Sequence, residues 1–413
     1  MSQPEERDLI HDWAAAGPHG FSAAPGVMLD DETLRDGLQC PSVTDPPIEK
    51  KVEILHRMDD LGIDTADVGL PGAGARQYAS VEALCREIAS SRLKIRANCA
   101  ARTMRVDIEP MVEITQKTGV PIEACVFIGS SPIRQYAEEW DLEFILARSR
   151  EAVEFGVRQG LEVMYVTEDT VRSHPDHLRT LLTAAVDAGA RRVCLCDTVG
   201  AAIPAGVGNL VGWVKRLVDE LGVDVGIDWH GHRDRGLDVA NTLAAIEAGA
   251  TRVHGTALGV GERVGNTPME QILVNLKLLG LRDGDLSQLQ AYVTAVSDAL
   301  EVPIPVGTPI VGKDAFRTAT GVHAAAVIKA QRRGHGWLAD RIYSGVPASW
   351  IGRTQTIEIG PMSGTSNVVH YLQAHGLPDG PEVVEAVLAL AKRSDRLLTE
   401  EEILGATREP RIG

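Results

Sequence analysis

Two histidines, His230 and His232, lie at the end of one predicted strand, and Asp36 follows another predicted strand far upstream. Alternate side chains of an extended chain project to the same side, so the two imidazoles face one way. Together with a remote carboxylate they offer three ligands to one divalent metal ion and leave other coordination positions open. Open positions accept substrate, so the pattern favours catalysis over a structural metal site.

The composition is that of a large, acidic, globular protein. The 413 residues include 41 Lys and Arg against 57 Asp and Glu, a formal net charge of -16. This charge disfavours nucleic acid or an anionic membrane as a partner. The six cysteines form no disulfide framework, and no secretory segment or long apolar span is present, so we expect a cytoplasmic protein. Cys194 and Cys196 are predicted to be small apolar residues of one strand.

The chain repeats a unit in which an amphipathic helical stretch ends in glycine, as at Gly119 and Gly222, and a short β-rich run follows. Glycine takes the left-handed conformation that ends helices. Eight β-rich runs are found, at residues 26–30, 65–68, 93–97, 123–127, 162–166, 192–196, 225–229 and 252–255. Eight strands alternating with helices over roughly 250 residues predict an α/β fold, the (β/α)8 TIM barrel.

A doubly wound sheet is the alternative fold. Its dinucleotide fingerprint belongs in the first βα turn, but here the glycine-dense loop, residues 259–265, follows the last predicted strand and has a different spacing. The barrel is therefore favoured. We expect a leader over residues 1–24, the barrel over 25–280, and an α-rich C-terminal accessory subdomain over 281–413.

Polar residues follow several of the predicted strands, at the rim where a barrel of this type carries its chemistry. Each has a simple structural explanation when taken alone: a carboxylate can cap a turn, and a histidine can be a hydrogen-bonded core group. Their coincidence at one rim favours a metal site, which Mg, Mn or Zn could occupy. The rim residues are Asp36, Glu168, Asp169, Asp197, Thr198, His230, His232 and Asn266.

Six segments in order resemble the family of α-isopropylmalate, homocitrate and citramalate synthases, with 3-hydroxy-3-methylglutaryl-CoA lyase as a more distant relative. Each segment is weak alone, but the ordered set is specific. The segments are residues 31–39 (DETLRDGLQ), 168–172 (EDTVR), 197–200 (DTVG), 230–234 (HGHRD), 261–266 (GERVGN) and 309–323, which starts PIVGKDAF and ends GVH.

The resemblance implies condensation of acetyl-CoA with a 2-oxo acid, followed by hydrolysis of the thioester to a 2-alkylmalate-type acid and free CoA, as in 2-isopropylmalate synthase. The metal would polarise the carbonyl group of the oxo acid. Matched motif by motif, the implied metal ligands are Asp36, His230 and His232, with Asn266 as a fourth. The implied catalytic and substrate-binding residues are Arg35 at the developing alkoxide, Thr198 at the substrate carboxylate, His323 as the base with Glu168 beside it, and Tyr343 in the accessory region.

Several positions depart from the pattern of the family. Arg233 stands where an asparagine is usual, Asp67 replaces a glutamate, Thr318 replaces a histidine, and the segment 360–364 is changed. These departures leave the identity of the 2-oxo acid open. Arg233 or Arg134 could bind an acidic side chain, although surface ion pairs explain such arginines equally well. Regulation by leucine is not expected, because the residues after the accessory region are too few for the effector domain of leucine-regulated relatives.

Other functions remain open. Homocitrate or citramalate synthesis would use the same site with a different 2-oxo acid. A 3-hydroxyacyl-CoA lyase would run related chemistry in reverse, and a non-catalytic metal-binding scaffold would keep the barrel alone. The resemblance also implies a homodimer in which His323 reaches the partner subunit's site.

Overall fold

The computed structural model describes residues 4–13 and 20–408. Eight parallel strands, each paired with the next in chain order, form a closed barrel. The predicted (β/α)8 barrel is thereby confirmed, and each predicted β-rich run contains one of its strands. The strands are β1 (Met28–Asp31), β2 (Thr65–Asp67), β3 (Arg96–Arg102), β4 (Ile122–Gly129), β5 (Glu162–Glu168), β6 (Arg192–Asp197), β7 (Gly226–Gly231) and β8 (Arg252–Gly255).

Helices alternate with these strands and continue beyond them. They are α1 (Glu6–Leu9), α2 (Ile48–Asp60), α3 (Ala75–Ser91), α4 (Arg105–Thr118), α5 (Pro132–Glu138), α6 (Leu142–Arg158), α7 (Pro175–Asp187), α8 (Pro204–Leu221), α9 (Asp238–Ala248), α10 (Met269–Leu278), α11 (Leu289–Leu300), α12 (Gly321–Arg332), α13 (Gly336–Arg341), α14 (Thr365–Ala374), α15 (Pro381–Arg393) and α16 (Glu400–Arg408). As the glycine pattern predicted, α4 ends at Gly119 and α8 at Gly222, with φ angles of 73° and 68°. Both angles lie in the left-handed region, where glycine avoids the strain of a side chain.

The barrel closes where β1 pairs with β8. Met28 is opposite Arg252 and Asp31 is opposite Gly255 in this parallel register. The carboxyl ends of β1, β7 and β8 therefore lie side by side, although their residues are far apart in the sequence. This closure is what can bring Asp36 to the His230–His232 pair.

A buried ionic network fills the barrel interior near the start of β8. The side chain of Arg252 is fully buried and donates to Asp228 and, at 2.7 Å, to Glu123. Arg192 donates to the other oxygen of Asp228 at 2.7 Å. Buried charges of this kind are tolerated only when they are paired, and removing one partner costs about 3–5 kcal/mol.

The described residues fall into two compact units. Those within His19–Pro303 form one, which holds the barrel; those within Met1–Pro18 and Ile304–Gly413 form the other. The second unit contains a two-stranded parallel sheet of β9 (Arg317–Thr318) and β10 (Thr356–Ile357). Its apolar core includes Ile359, Val368, Leu372 and Val387.

Helix α11 lies in the barrel unit, whereas the sequence placed it in the accessory subdomain from residue 281 onward. The reason is its buried face, on which Tyr292 donates a hydrogen bond to the carboxylate of Asp31. The hydroxyl of Thr33 lies 3.5 Å from the same phenol. A helix whose polar group pairs with β1 belongs to the barrel core.

In the part of the chain that the structure describes, no helix combines the length and apolar character needed to cross a bilayer.

We expect Tyr292→Phe to lower the free energy of unfolding by about 1–3 kcal/mol, because the buried Asp31 carboxylate loses a donor. Urea denaturation followed by circular dichroism measures this change. Tyr136→Phe is the matched control, since Tyr136 is 89% exposed and its substitution should change stability little. An equal loss in both variants would contradict the role given to the Tyr292 phenol.

Candidate metal centre and active site

A cavity of about 340 Å³ opens among residues from the carboxyl ends of the strands and the loop after β8. Asp36, His230, His232, Arg35, Glu168 and Thr198 all line it. Seven of the positions singled out from the sequence lie in the barrel unit, the seventh being Asn266, and they converge on this one rim.

The ligand atoms of Asp36, His230 and His232 lie within 4.8 Å of one another, and all three side chains are buried. The Nε2 atoms of the two histidines are 3.2 Å apart. Asp36 Oδ2 is 3.6 Å from Nε2 of His230 and 3.8 Å from Nε2 of His232. The sequence spacing places the two rings together because His230 is near the end of β7 and His232 follows it by two residues.

These distances fit a divalent cation. Two ligands about 2.1 Å from a common ion lie roughly 3.0–3.4 Å apart, between right-angle and tetrahedral coordination. Nδ1 of His232 is buried without a hydrogen-bond partner among the described residues. Burial, and then the neighbouring His230, lower the pKa of His232 to about 4. This histidine is therefore neutral near pH 7, which is the form that binds metal.

Asn266 lies beside the three ligands. Its backbone forms an isolated bridge with His232, and its Nδ2 donates to Asp36 Oδ2 at 2.9 Å. Its Oδ1 is buried without a partner among the described residues. Crystallographic practice treats the two ends of such an amide as interchangeable until the hydrogen-bond network is considered. Rotation of the amide would direct an oxygen, the atom suited to a cation, toward Asp36 and the cluster.

Glu32 orients the metal cluster from below, and sequence reasoning missed this role. Its Oε2 is 2.8 Å from Nδ1 of His230, the nitrogen that faces away from the cluster. A carboxylate at that position fixes the tautomer and leaves Nε2 free for metal. Burial would raise the pKa of Glu32, but His230, Arg35 and His254 hold it well below its ordinary value.

His254 links Glu32 to the ionic network of the barrel interior. Its Nδ1 is 2.9 Å from Glu32 Oε1, and its Nε2 is 2.8 Å from Asp228 Oδ2. Burial would lower the pKa of His254, but the acidic groups around it raise it well above the ordinary value. An imidazole between two carboxylates donates from both nitrogens, so His254 is an imidazolium.

Arg35 is held by three carboxylates at the cavity wall. Its Nε donates to Asp67 at 2.7 Å, its Nη2 donates to Glu32 at 3.2 Å, and its Nη1 lies 3.6 Å from Asp36 Oδ2. The substitution of glutamate by Asp67 thus keeps a carboxylate partner for the guanidinium. Burial raises the pKa of Asp67 to about 7, and Arg35 opposes this shift. A guanidinium fixed in this way can stabilise negative charge without reorganising.

Glu168 and Thr198 stand on the opposite wall. Burial raises the pKa of Glu168, which is the direction expected for a carboxylate that exchanges protons near neutral pH. The hydroxyl oxygen of Thr198 accepts a hydrogen bond from the backbone N–H of Asp169 at 2.8 Å. Its own proton is therefore available to a ligand in the cavity.

His323 and Tyr343 lie in the other unit, so the structure does not bring them together with the rim residues. They do lie together: their rings stack with centroids 4.1 Å apart. His323 is in the first turn of α12, and Tyr343 is 48% exposed. The stacked pair presents an imidazole and a phenol on the surface of its unit.

Arg233, considered from the sequence as a partner for an acidic substrate, has a structural role. Its Nε donates to the carbonyl of Val264 at 2.7 Å, and its backbone N–H donates to the carbonyl of Gly265. A Cβ at Gly265 would lie 1.8 Å from the carbonyl oxygen of Gly259. The glycine-rich loop is therefore closely packed on itself and fastened by Arg233.

Known proteins share both the sequence and the fold of this chain. A model of the HMGL-like family matches residues 27–296. Homocitrate synthase AksA of Methanopyrus kandleri is 33% identical over 89% of this chain and 87% of its own length. The 2-isopropylmalate synthase of Methanocaldococcus jannaschii is 32% identical over 90% of this chain and 69% of its own length.

A solved structure supports the fold independently. HMG-CoA lyase of Bacillus subtilis matches 68% of this chain and 96% of its own with a TM-score of 0.57, at 20% identity. A likeness at this identity shows the barrel fold alone. Together with the family match across residues 27–296 and the relatives that align with nearly nine-tenths of the sequence, it establishes that the chain is an enzyme of the HMGL-like family, to which 2-isopropylmalate and homocitrate synthases belong.

Proposed function

We propose that the protein is an acyltransferase that condenses acetyl-CoA with a 2-oxo acid and hydrolyses the thioester to a 2-alkylmalate-type acid and free CoA. The observation that carries this proposal is the buried cluster of Asp36, His230 and His232 beside a fixed Arg35 in one cavity. The relatives that align over nearly the whole chain are named as synthases. A lyase is less well supported, because the lyase structure is 20% identical over 68% of the chain.

The residues present divide the work of such a reaction between two walls of the cavity. A divalent ion held by Asp36, His230 and His232, with Asn266 as a fourth ligand, would supply Lewis-acid polarisation of the carbonyl group of the oxo acid. Arg35 donates hydrogen bonds to the oxygen that gains negative charge as the carbon–carbon bond forms. The Thr198 hydroxyl donates to the carboxylate of the oxo acid.

A base must remove a proton from the acetyl methyl group before the bond forms. His323 is the proposed base, with Tyr343 stacked on its ring, and Glu168 is the proposed second acid or base beside the substrate. The raised pKa of Glu168 suits proton exchange at neutral pH. Water then cleaves the thioester, which balances the reaction as one acid and one CoA per acetyl-CoA consumed.

The metal site gives one prediction. The wild-type protein should retain one divalent ion per chain, whereas His232→Ala should bind the ion at least about a hundredfold more weakly, because one of three protein ligands is lost. Metal analysis after dialysis against a weak chelator measures the content. His56→Ala is the control, since His56 pairs with Glu87 at the surface of the barrel unit. Equal metal content in all three proteins would refute the site.

The reaction gives a second prediction. Free thiol should appear from acetyl-CoA only when a 2-oxo acid is added, and removal of metal by chelation should abolish the release. A thiol assay against a panel of 2-oxo acids measures it. Cleavage of a 3-hydroxyacyl-CoA without condensation across the panel would assign the chain to the lyases, and no reaction in either direction would favour a non-catalytic scaffold.

The accessory pair gives a third prediction, on the proposal that the enzyme is a homodimer in which His323 acts in the partner subunit's site. Arg35→Ala and His323→Ala should each be inactive, but mixed dimers should recover part of the activity because one of their two sites holds both residues. Subunits carrying different affinity tags allow the mixed dimers to be isolated and assayed. Inactive mixed dimers from folded, metal-loaded parents would show that the site is not shared.

A further inference from the structure

The floor of the active-site cavity is rich in sulfur. Cys125, Met164, Cys194 and Cys196 form one buried apolar cluster, with Val166 packed against it, and all five line the cavity. They come from three neighbouring strands: Cys125 is opposite Met164 in the pairing of β4 with β5, and Val166 is opposite Cys194 in the pairing of β5 with β6. The Sγ atoms of Cys194 and Cys196 are 3.8 Å apart.

Positive charge is absent from this floor. Among the described residues that line the cavity, the arginines are Arg35 and Arg263, and both are paired. Arg35 lies against Asp67 and Glu32, as described above. Arg263 donates to Asp234 at 2.9 Å and to the carbonyl of Thr198 at 2.7 Å. The remaining cation, the imidazolium of His254, is held between its two carboxylates.

We propose that Cys125, Met164 and Cys194 bind the side chain of the 2-oxo acid and select an apolar side chain over one that ends in a carboxylate. The inference rests on the proposed condensation and names its substrate class. A second carboxylate on this floor would lose its hydration and find neither a cation nor a strong donor, which is costly. An apolar chain gains about 0.8 kcal/mol for each buried methylene, or roughly fourfold in affinity.

The acidity of the cavity acts in the same direction. Glu32, Asp36, Asp67, Glu168 and Glu262 line it along with the few cations already named. A metal ion would compensate the carboxylate next to the keto group, but the far end of a dicarboxylic acid would remain close to these acidic groups. The electrostatic field and the sulfur floor therefore discriminate against the same substrates.

One other place could receive a charged side chain. A neighbouring cavity of about 280 Å³ shares Phe127 and Glu168 with the first and contains Arg102, Arg134 and Arg148. Each of these arginines already pairs with a carboxylate, namely Asp107, Glu138 and Glu151. A dicarboxylic acid would have to pass Glu168 and displace one of them. This cavity is therefore the competing explanation that the experiment must separate.

The test compares oxo acids of matched shape. 2-Oxoglutarate and 2-oxo-5-methylhexanoate carry side chains with equal numbers of heavy atoms, as do oxaloacetate and 4-methyl-2-oxopentanoate, and each pair differs only in a carboxylate against an isopropyl group. We expect kcat/KM for CoA release to favour the apolar member of each pair by at least about a hundredfold. A preference for the dicarboxylic members would overturn the inference, and its loss in Arg134→Gln would assign their recognition to the arginine-lined cavity.

Substitutions locate the selectivity on the floor. Cys194→Ser and Cys125→Ser should reduce the apolar preference several-fold, and Met164→Ala should raise the relative kcat/KM of phenylpyruvate by making room. Cys85→Ser is the matched control, because Cys85 is a buried thiol of α3 outside the cavity. A purely structural role for the floor thiols would lower kcat for all substrates alike and leave the ratio unchanged, which would contradict the proposal.

A binding measurement keeps the inference testable without turnover. An apolar oxo acid should protect Cys194 and Cys196 from methylmercury, read by mass spectrometry of the labelled peptides, whereas 2-oxoglutarate should not. Cys40, which is partly exposed, is the internal control for reagent activity. If no oxo acid yields free CoA, the proposed condensation is wrong, and this protection assay still decides which side chains the floor binds. Equal protection by both acids would reject the floor as a selective site.

Discussion

The carboxylate of Glu32 lies between two imidazoles, and the geometry of the active site depends on that position. One oxygen faces His230, a proposed metal ligand, and the other faces His254, which continues to Asp228 in the barrel interior. The orientation of a metal ligand is thus fixed by an ionic network whose charges are all buried. Because each buried charge is tolerated only in the presence of its partners, the site inherits the rigidity of the core.

The same arrangement explains why the catalytic arginine is preorganised. Arg35 shares Glu32 with the two histidines and also binds Asp67, so its guanidinium is held from two sides before any substrate arrives. Preorganised donors of this kind need little rearrangement as charge develops. On the other wall the sulfur floor makes no polar demands on a ligand. The cavity therefore separates a charged half, suited to the keto acid group, from a soft apolar half, suited to what is attached to it.

Local patterns predicted much of this structure. Glycine-ended helices and β-rich runs identified the eight strands, and the spacing of His230 and His232 identified one side of the metal cluster. Glu32 and His254 were not found, because a buried acid within a strand acquires meaning only from partners more than two hundred residues away. The position of α11 escaped for a similar reason: the partner of Tyr292 is on β1. Arg233 looked like a substrate ligand because its backbone partners in the glycine-rich loop leave no trace in residue types.

The metal cluster spans the seam at which the barrel closes. Asp36 follows the first strand, His230 and His232 end the seventh, and Asn266 follows the eighth, so the ligands meet only after β1 has paired with β8. An ion that binds the closed barrel but not the open chain stabilises the closed form in proportion to the logarithm of its concentration. The cation would then act as a clasp on the last long-range contact of folding, slowing local opening of the first strand and coupling metal supply to the lifetime of the protein.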